Sequence, residues 1–292
     1  MMEMIEQKPE QEIRTVHVLG ISGGKDSAAL AVYMRDRQPD MHYYFCDTGE
    51  ELEETYEYLA ILETFLGKPI KRLNPERDFN HYLDIYNNYL PSPRMRWCTA
   101  MLKLKPFENW LDQDFAGCQI KSYVAIRADE DRDGYISHKP NIEPVYPFRE
   151  AGVDKEEVMK ILEEVGVGLP KYYEWRTRSG CYFCFFQRKS EWVGLKERHP
   201  DLYEKAKAYE KIETDPVTGE TKSYTWSQSE SLTELEGRAE EIKAQHAKTM
   251  ALEMERQRLR PKRLSGVFQL QMAKEDALDE EDDTEACMIC NL

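Results

Sequence analysis

One short segment, Ser22-Gly23-Gly24-Lys25-Asp26-Ser27, constrains the fold of this 292-residue sequence more than any other. It lies between an apolar run at 15–22, which predicts a buried strand, and a run at 24–35 whose apolar residues have helical spacing. Glycines let a backbone approach a phosphate closely, and the first N–H groups of a helix have no partner within it. Lys25 adds a positive charge. The segment therefore predicts a phosphate-binding loop rather than an ordinary turn between a strand and a helix.

The residues that follow alternate between strand and helix patterns, which is typical of a parallel sheet with helical crossovers. Strands are predicted at 42–46, 69–73 and 122–128, and helices at 51–66, 154–165, 190–211 and 230–259. Such sheets bind ligands at the carboxyl ends of their strands, where the strand order reverses. The loops at 22–27, 47–50 and 127–132 are thus expected to share one crevice. The predicted fold class is α/β, with a parallel sheet flanked by helices and a mainly helical C-terminal part.

These patterns also divide the chain into five predicted segments. A flexible N-terminus at 1–14 precedes a nucleotide-binding α/β core at 15–150 and a helical region with a Cys-x-x-Cys pair at 151–212. A hairpin and a charged helix follow at 213–264, and an acidic tail at 265–292 ends in a second Cys-x-x-Cys pair. The residues just before that last pair are predicted to be disordered, because eight acidic residues fall within 275–285.

Composition excludes two classes of protein. The balance of 40 basic and 55 acidic residues, a net charge of −15, excludes a uniformly basic nucleic-acid binder. No apolar run reaches the length of a membrane span, and the first residues lack the apolar centre of a signal peptide. We therefore expect a cytoplasmic protein with no membrane partner. Seven cysteines in such a protein favour metal or thiol chemistry over disulfides.

The loop differs from a Walker P-loop, which would need glycine at Leu19 and Ser or Thr at Asp26. Its string SGGKDS instead resembles the PP-loop of the adenine nucleotide α-hydrolase superfamily, the ATP pyrophosphatases. That resemblance implies a Rossmann-like fold and a loop that grips pyrophosphate. It also implies reaction at the α-phosphorus of ATP, which gives AMP, pyrophosphate and an adenylated intermediate.

Four further motifs, in the expected order, resemble the phosphoadenosine phosphosulfate (PAPS) reductase-like branch of that superfamily. They are Asp47-Thr48-Gly49-Glu50 with 53–55, Arg96-Trp97-Cys98-Thr99 with Lys103 and Pro106, the stretch 125–132, and Arg178-Ser179-Gly180-Cys181-Tyr182-Phe183-Cys184. The resemblance covers roughly residues 15–210.

The resemblance implies a set of site residues. The catalytic set is Lys25, Asp26, Asp47 and Arg127, and the nucleotide-binding set is Ser22, Gly23, Gly24, Lys25, Asp26, Ser27, Asp47, Thr48, Gly49, Arg127, Glu130 and Arg132. Two arginines of these sets suit bidentate phosphate binding, and the carboxylates of Asp47, Asp129 or Glu130 suit Mg²⁺. Surface ion pairs are the alternative for each. Asp26, beside a phosphate, is expected to meet Mg²⁺ or to cap backbone N–H groups.

Cys98, Cys181 and Cys184 are implied as ligands of a [4Fe–4S] cluster. Thr99 stands where cluster-bearing sulfonucleotide reductases have a second adjacent cysteine, so a fourth ligand must come from Cys290, with Cys287 as the alternative, or one iron stays open. A zinc site built from the two Cys-x-x-Cys pairs is the competing reading. The tail pair also suits a dithiol that passes on sulfur. Cys46 and Cys118 are predicted to be structural.

The prediction of the substrate rests on one missing motif and on two clusters of basic residues. The Glu-Cys-Gly context of the catalytic cysteine in sulfonucleotide reductases is missing. Basic residues stand at 94, 96, 103 and 105 and again at 256–263, which favours nucleic acid over a solvated surface for the first cluster. The chain is similar to the sulfurtransferase of DNA phosphorothioation systems (DndC and SspD type). That similarity implies DNA as substrate and a cysteine desulfurase as partner.

Several alternatives remain open. They are a tRNA thiolation enzyme, a PAPS or APS reductase acting on a small nucleotide, and a subunit that binds ATP without turnover. A homo-oligomer is compatible with the sequence.

Overall fold

The central feature of the fold is a five-stranded parallel sheet with the order β3-β2-β1-β4-β5. The computed structural model describes residues 13–131, 134, 137–214, 221–227, 230–258 and 264–279. The strands are β1 Thr15–Gly20, β2 His42–Cys46, β3 Ile70–Leu73, β4 Gln119–Tyr123 and β5 Ile142–Val145. None of the described helices combines the length and the apolar character of a membrane span.

Helices cover both faces of the sheet. Their bounds are α1 Lys25–Met34, α2 Glu53–Leu66, α3 Phe79–Ile85, α4 Trp97–Thr99, α5 Lys105–Asp114, α6 Pro147–Ala151 and α7 Lys155–Glu164, with a π-helical turn, Ala100–Leu104, joining α4 to α5. Along β1, Val16 and Val18 pack against α5, whereas Leu19 and the following Ile21 pack against α1, α2 and α7. A central parallel strand must be apolar on both faces, which is why β1 reads as a continuous apolar run.

The C-terminal part is mainly helical and carries its own apolar cluster. It contains a 3₁₀ turn at Lys171–Glu174, the helices α8 Lys189–Arg198 and α9 Pro200–Tyr209, the antiparallel hairpin β6 Lys211–Thr214 and β7 Thr221–Tyr224, and the helices α10 Leu232–Gly237, α11 Ala239–Arg258 and α12 Gly266–Asp279. The predicted fold class is therefore confirmed: a parallel α/β sheet flanked by helices, followed by a helical part.

Three predicted elements were wrong in their bounds. The strand expected at 122–128 is β4, which ends at Tyr123, while Val124 to Ile126 leave the sheet and remain buried. The helix expected at 190–211 is two helices, because Pro200 has no N–H to continue α8. The helix expected at 230–259 is also two, α10 and α11.

The largest correction concerns the acidic stretch before the last cysteine pair, which was expected to be disordered; it applies up to residue 279, since 280–286 lie outside the described residues. Residues 266–279 form α12, and its Phe268 and Met272 are buried in the same apolar cluster as α1 and α7. The acidic composition hid a helical pattern, since Phe268, Met272 and Glu275 follow one another at the i, i+4, i+7 spacing of one helix face.

Candidate functional site

The predicted phosphate loop lies where the strand order of the sheet reverses. The chain passes from β1 to β2 on one side, whereas β4 lies on the other side of β1. Residues 22–27 follow β1, and Arg127 lies beyond the end of β4. The two loops meet, since a guanidinium nitrogen of Arg127 lies 3.0 Å from Oδ1 of Asp26. This is the position at which parallel α/β sheets bind ligands.

Hydrogen bonds within the loop and from the C-terminal part fix its shape. The N–H of Ser22 donates to Oγ of Ser27 at 3.0 Å. The hydroxyl of Tyr172 donates to the carbonyl of Gly23 at 2.8 Å, and the N–H of Lys25 donates to the hydroxyl of Tyr173 at 3.1 Å. The 3₁₀ turn that carries both tyrosines therefore buttresses the loop from the side opposite the sheet.

Lys25 is buried and has two carboxylate partners. Its Nζ lies 2.9 Å from Oδ2 of Asp26 and 3.2 Å from Oε2 of Glu275 on α12. Burial opposes the charge on Lys25, but these two carboxylates outweigh it and raise the pKa of the lysine. Burial likewise opposes the charge on Asp26, but Lys25 and Arg127 outweigh it and hold the pKa of that carboxyl well below its ordinary value. Lys25 and Asp26 are therefore both charged at neutral pH.

Asp26 thus has partners that the sequence did not predict. In the structure Asp26 lies between Lys25 and Arg127, and the contact with Mg²⁺ expected from the sequence stays a prediction. A carboxylate between two cations holds both in a fixed geometry for a phosphate while limiting their repulsion.

Arg127 also contacts the two carboxylates that follow it. Its Nε lies 3.0 Å from Oδ1 of Asp129, and a terminal nitrogen lies 2.8 Å from Oε1 of Glu130. Two of the three carboxylates expected to hold Mg²⁺ are therefore paired with the arginine expected to hold phosphate. The remaining predicted phosphate ligand, Arg132, lies outside the described residues.

The Asp47-Thr48-Gly49 turn contacts the Cys-x-x-Cys segment. Oδ1 of Asp47 accepts hydrogen bonds from the hydroxyl of Tyr56 at 2.8 Å and from the N–H of Gly49 at 3.0 Å. The hydroxyl of Thr48 lies 3.2 Å from Sγ of Cys181. The turn therefore connects the end of β2 to the Cys-x-x-Cys segment.

Three predicted cluster ligands line one cavity. Cys98, Cys181 and Cys184 share its wall with Thr99 and with apolar side chains, which include Phe79, Leu102, Phe183, Phe185 and Phe186. Burial raises the pKa of the Cys181 thiol well above its ordinary value. Thiols in an apolar cavity form the donor set that iron–sulfur clusters use, so these residues fit such a cluster in kind.

No described group of three or more His, Cys, Asp or Glu side chains has the arrangement of a metal site. The predicted fourth ligand, Cys290, and its alternative, Cys287, lie outside the described residues. The alternative zinc site needs both of these cysteines, so it also lies partly outside the described residues. The structural role expected for Cys46 is consistent with its position: it is buried in the apolar cluster beside α5, and burial raises its pKa to about 12. Cys118 packs against the same cluster.

The phosphate loop and the cysteine cavity are neighbours. The hydroxyl of Ser179 donates to Oγ of Ser22 at 3.1 Å, and Ser179 stands two residues before Cys181. A side chain on Gly24 would contact the same serine, since its Cβ would lie 2.9 Å from Oγ of Ser179. The segment that carries the Cys-x-x-Cys pair therefore forms one wall of the phosphate loop.

The basic cluster near Cys98 lies beside the cavity. Arg94 and Lys105 are exposed, Lys103 lines the cavity, and the Arg96 guanidinium lies 5.2 Å from the centre of the Phe186 ring. The second basic run is described only as far as Arg258, and its Arg256 and Arg258 pair with glutamates one turn earlier on α11.

Sequence reasoning missed several residues of this site: Lys155, Tyr172, Tyr173, Ser179 and Glu275. Each comes from the C-terminal part and reaches the loop only through the fold. The one available signal was the helical spacing of Phe268, Met272 and Glu275, which the acidic composition obscured.

Residues 16–128 match the family of the phosphoadenosine phosphosulfate reductase domain. An uncharacterised protein of Methanocaldococcus jannaschii is 27% identical over 206 residues, which cover 67% of this chain and 41% of that protein. The chain spans less than half the length of this relative and of a second one from the same organism, of which it covers 45%.

Two further similarities cover a smaller part of this chain. The tRNA-specific 2-thiouridylase of Lacticaseibacillus paracasei is 27% identical over 128 residues, 39% of this chain and 34% of that enzyme. Among solved structures, the crystal structure of phosphoadenylyl-sulfate reductase from Candida auris, in complex with phosphate, superposes with a TM-score of 0.46 at 12% identity. That superposition covers 56% of this chain and 80% of the other.

Proposed function

Because residues 16–128 are a phosphoadenosine phosphosulfate reductase-like domain, we propose that the chain is an ATP pyrophosphatase that adenylates an oxygen of a nucleic acid and replaces it with sulfur. One observation carries this proposal. The glycine-rich loop, which lies where the strand order reverses, and a cavity lined by three cysteines are joined by the contact of Ser22 with Ser179. Nucleotide activation and sulfur chemistry thus have adjacent sites.

In the first step, an oxygen of the nucleic acid attacks the α-phosphorus of ATP, the bond from that phosphorus to the bridging oxygen breaks, and pyrophosphate leaves. Lys25 and Arg127 stabilise the negative charge that develops on the leaving group. Asp26 keeps both cations in place through its contacts of 2.9 and 3.0 Å. The N–H groups at the start of α1 supply further donors for phosphate oxygens. Mg²⁺ bound with ATP would share that charge.

In the second step, sulfide-level sulfur attacks the activated atom, the bond from that atom to the adenylated oxygen breaks, and AMP leaves with that oxygen. A thiol reductant would supply the two electrons that convert the persulfide sulfur of the donor to sulfide. A [4Fe–4S] cluster held by Cys98, Cys181 and Cys184, with Cys290 or Cys287 as the fourth ligand, would supply a place to bind that sulfur. The aromatic walls of the cavity exclude water, which otherwise competes with sulfur for the activated atom. A cysteine desulfurase is the proposed source of the sulfur.

DNA is the favoured nucleic acid, and its phosphate the favoured site of exchange. The exposed Arg94 and Lys105 beside the cavity offer charge to a backbone phosphate. tRNA is the second candidate, because a tRNA-specific 2-thiouridylase is among the relatives of this chain.

The proposal is tested by pyrophosphate release from labelled ATP under anaerobic conditions, with DNA, tRNA or PAPS added separately. We expect DNA to stimulate release most, and Lys25→Ala to lower it by about 10²- to 10³-fold, as for loss of a charged donor in other transition states. Lys160→Ala is the matched control, since Lys160 is an exposed lysine of α7 that pairs only with glutamates of that helix among the described residues.

The other outcomes separate the alternatives. Stimulation by tRNA alone would transfer the proposal to tRNA thiolation. Sulfite release from PAPS without use of ATP would replace it with sulfonucleotide reduction. Unchanged pyrophosphate release by Lys25→Ala would contradict the assignment of the loop.

A further inference from the structure

Two lysines converge on one oxygen atom of Glu275. Oε2 of Glu275 lies 3.2 Å from Nζ of Lys25 in the phosphate loop and 3.4 Å from Nζ of Lys155 at the start of α7. The other oxygen, Oε1, accepts a hydrogen bond from the side-chain amide of Gln271 at 2.9 Å. Two ammonium groups around a single anionic oxygen form the arrangement that binds a phosphate oxygen.

This cluster is shielded from water. Lys25 is 4% exposed and Glu275 is 8% exposed. The side chain of Lys155 is 12% exposed and also contacts Oδ1 of Asp276 at 2.6 Å. A phosphate that reaches Nζ of Lys25 must therefore compete with the Glu275 carboxylate, because the lysine is buried and Glu275 already lies 3.2 Å from that nitrogen.

We infer that Glu275 occupies a phosphate subsite of this protein, and that Lys155 is a further phosphate-binding residue that becomes available when α12 moves away. The inference rests on the proposed function only in taking residues 22–27 as the site for the phosphates of ATP. The helix α12 is then an internal competitor of the nucleotide, with Glu275 in the place of a phosphate oxygen.

A small set of contacts links α12 to the cluster and to the turn beside the loop, and its displacement would break them. Phe268 and Met272 anchor it in the apolar cluster, and Nζ of Lys274 donates to the carbonyls of Tyr173 at 3.0 Å and Glu174 at 2.6 Å. Tyr173 in turn contacts the N–H of Lys25. Departure of α12 would thus free the lysines and release the turn that buttresses the loop.

The test measures binding of inorganic pyrophosphate, by calorimetry, to the full chain. We expect Glu275→Gln, which keeps the shape and removes the charge, to bind about tenfold or more tightly than the wild type, because the competent state no longer has to be freed from a competitor. Met272→Ala should also tighten binding, since it loosens α12 without altering any charge. Glu255→Gln, on the exposed side of α11, is the matched control for removal of one carboxylate.

Lys155 is tested in the Glu275→Gln background. We expect Lys155→Ala to weaken pyrophosphate binding there by about tenfold, the loss of one charge-assisted contact, whereas Lys160→Ala on the same helix should not. In the wild type, pyrophosphate should increase amide exchange in residues 266–279.

The results distinguish failure of the proposed function from failure of this inference. If Lys25→Ala does not weaken pyrophosphate binding, the phosphate loop itself is wrong, and the proposed function falls with it. If Lys25→Ala abolishes binding but Glu275→Gln and Met272→Ala weaken it or leave it unchanged, the loop stands and this inference is overturned. The carboxylate would then be a structural partner of the lysines. Unchanged exchange in α12 on saturation with pyrophosphate would overturn it as well.

Discussion

The shape of the phosphate loop depends on its two glycines, Gly23 and Gly24, because a Cβ atom at either position would clash with a neighbouring side chain. Gly23 has φ of +81°, in the left-handed region, and a Cβ there would lie 2.7 Å from Cγ2 of Thr55 on α2. Gly24 has no such φ, but its Cβ would meet Ser179. The absence of side chains at these positions lets the loop lie against both α2 and the Cys-x-x-Cys segment, which brings the loop close to the thiols.

We expect Gly23→Ala to destabilise the protein by about 1–3 kcal/mol, because it combines a left-handed φ with a steric clash. The measurement is urea unfolding. Gly67→Ala is the matched control: Gly67 has φ of +66° with no atom within 4 Å of the position of its Cβ, so it reports the backbone cost alone. Thr55→Ser, which removes Cγ2, should recover part of the loss in Gly23→Ala. No recovery would show that the clash is not the cause.

Among the elements, the start of α8 holds the cysteine segment in place. One carboxylate oxygen of the buried Glu191 accepts hydrogen bonds from both the N–H and the hydroxyl of Thr177 at 2.8 Å, and the other accepts from the N–H of Arg188 at 3.1 Å. Burial alone would raise the pKa of Glu191, but the charges of Arg178 and of other nearby arginines outweigh it and lower the pKa. The helix and the segment before Cys181 are thus joined through one ionised group.

Glu191→Gln should lower the free energy of unfolding at neutral pH by about 1–3 kcal/mol, since an amide cannot accept at both of its terminal atoms. Because the pKa of Glu191 is lower in the folded protein, its contribution is complete above its ordinary value of 4.5 and is lost as the pH falls through the folded-state value. The difference in stability between wild type and Glu191→Gln should therefore shrink below about pH 4.5. A difference that does not change in unfolding curves between pH 7 and pH 3 would contradict this.

Across the whole molecule, charge is distributed unevenly. A net charge of −15 is therefore compatible with the proposed nucleic-acid substrate. Part of the acidic run at 275–285 is bound internally, since Glu275 and Asp276 pair with lysines of the core. Arg94 and Lys105 are exposed beside the cysteine cavity. The negative net charge of the protein therefore does not describe the charge of the surface near the candidate functional site.

If DNA binds beside the cavity, Arg94→Ala should weaken binding and lower the slope of log K against log salt concentration by about 0.9, the value for one lost phosphate contact. Fluorescence anisotropy between low and moderate salt measures that slope. Arg258→Ala, which removes an exposed arginine paired with Glu255 on α11, serves as the comparison. An equal effect of both substitutions would point to a diffuse attraction rather than a binding face.

The sequence predicted the sheet and the loop well because both depend on local patterns. A buried strand, a glycine pair and a helical run at 15–35 define the loop without any distant residue. The partners of Lys25 could not be predicted in this way, since Glu275 is 250 positions away in the chain and reaches it only through the packing of α12. Likewise, nothing local shows that Asp26 pairs with both Lys25 and Arg127.

Strand ends and helix breaks were less predictable for a different reason. The apolar residues Val124 and Ile126 are as buried as those of β4, so hydrophobicity alone could not separate strand from loop. The fold decided the end of β4 through its pairing with β1.

The late position of α12 in the chain also has a consequence for biosynthesis. The five strands and Lys155 are translated first, and about 120 residues separate Lys155 from Glu275. At roughly 5–20 residues per second, Glu275 follows Lys155 after about 6 to 24 s. During that interval Lys25 and Lys155 lack the Glu275 carboxylate as a partner. Each molecule would begin its existence in the ligand-accepting state and acquire its internal competitor last.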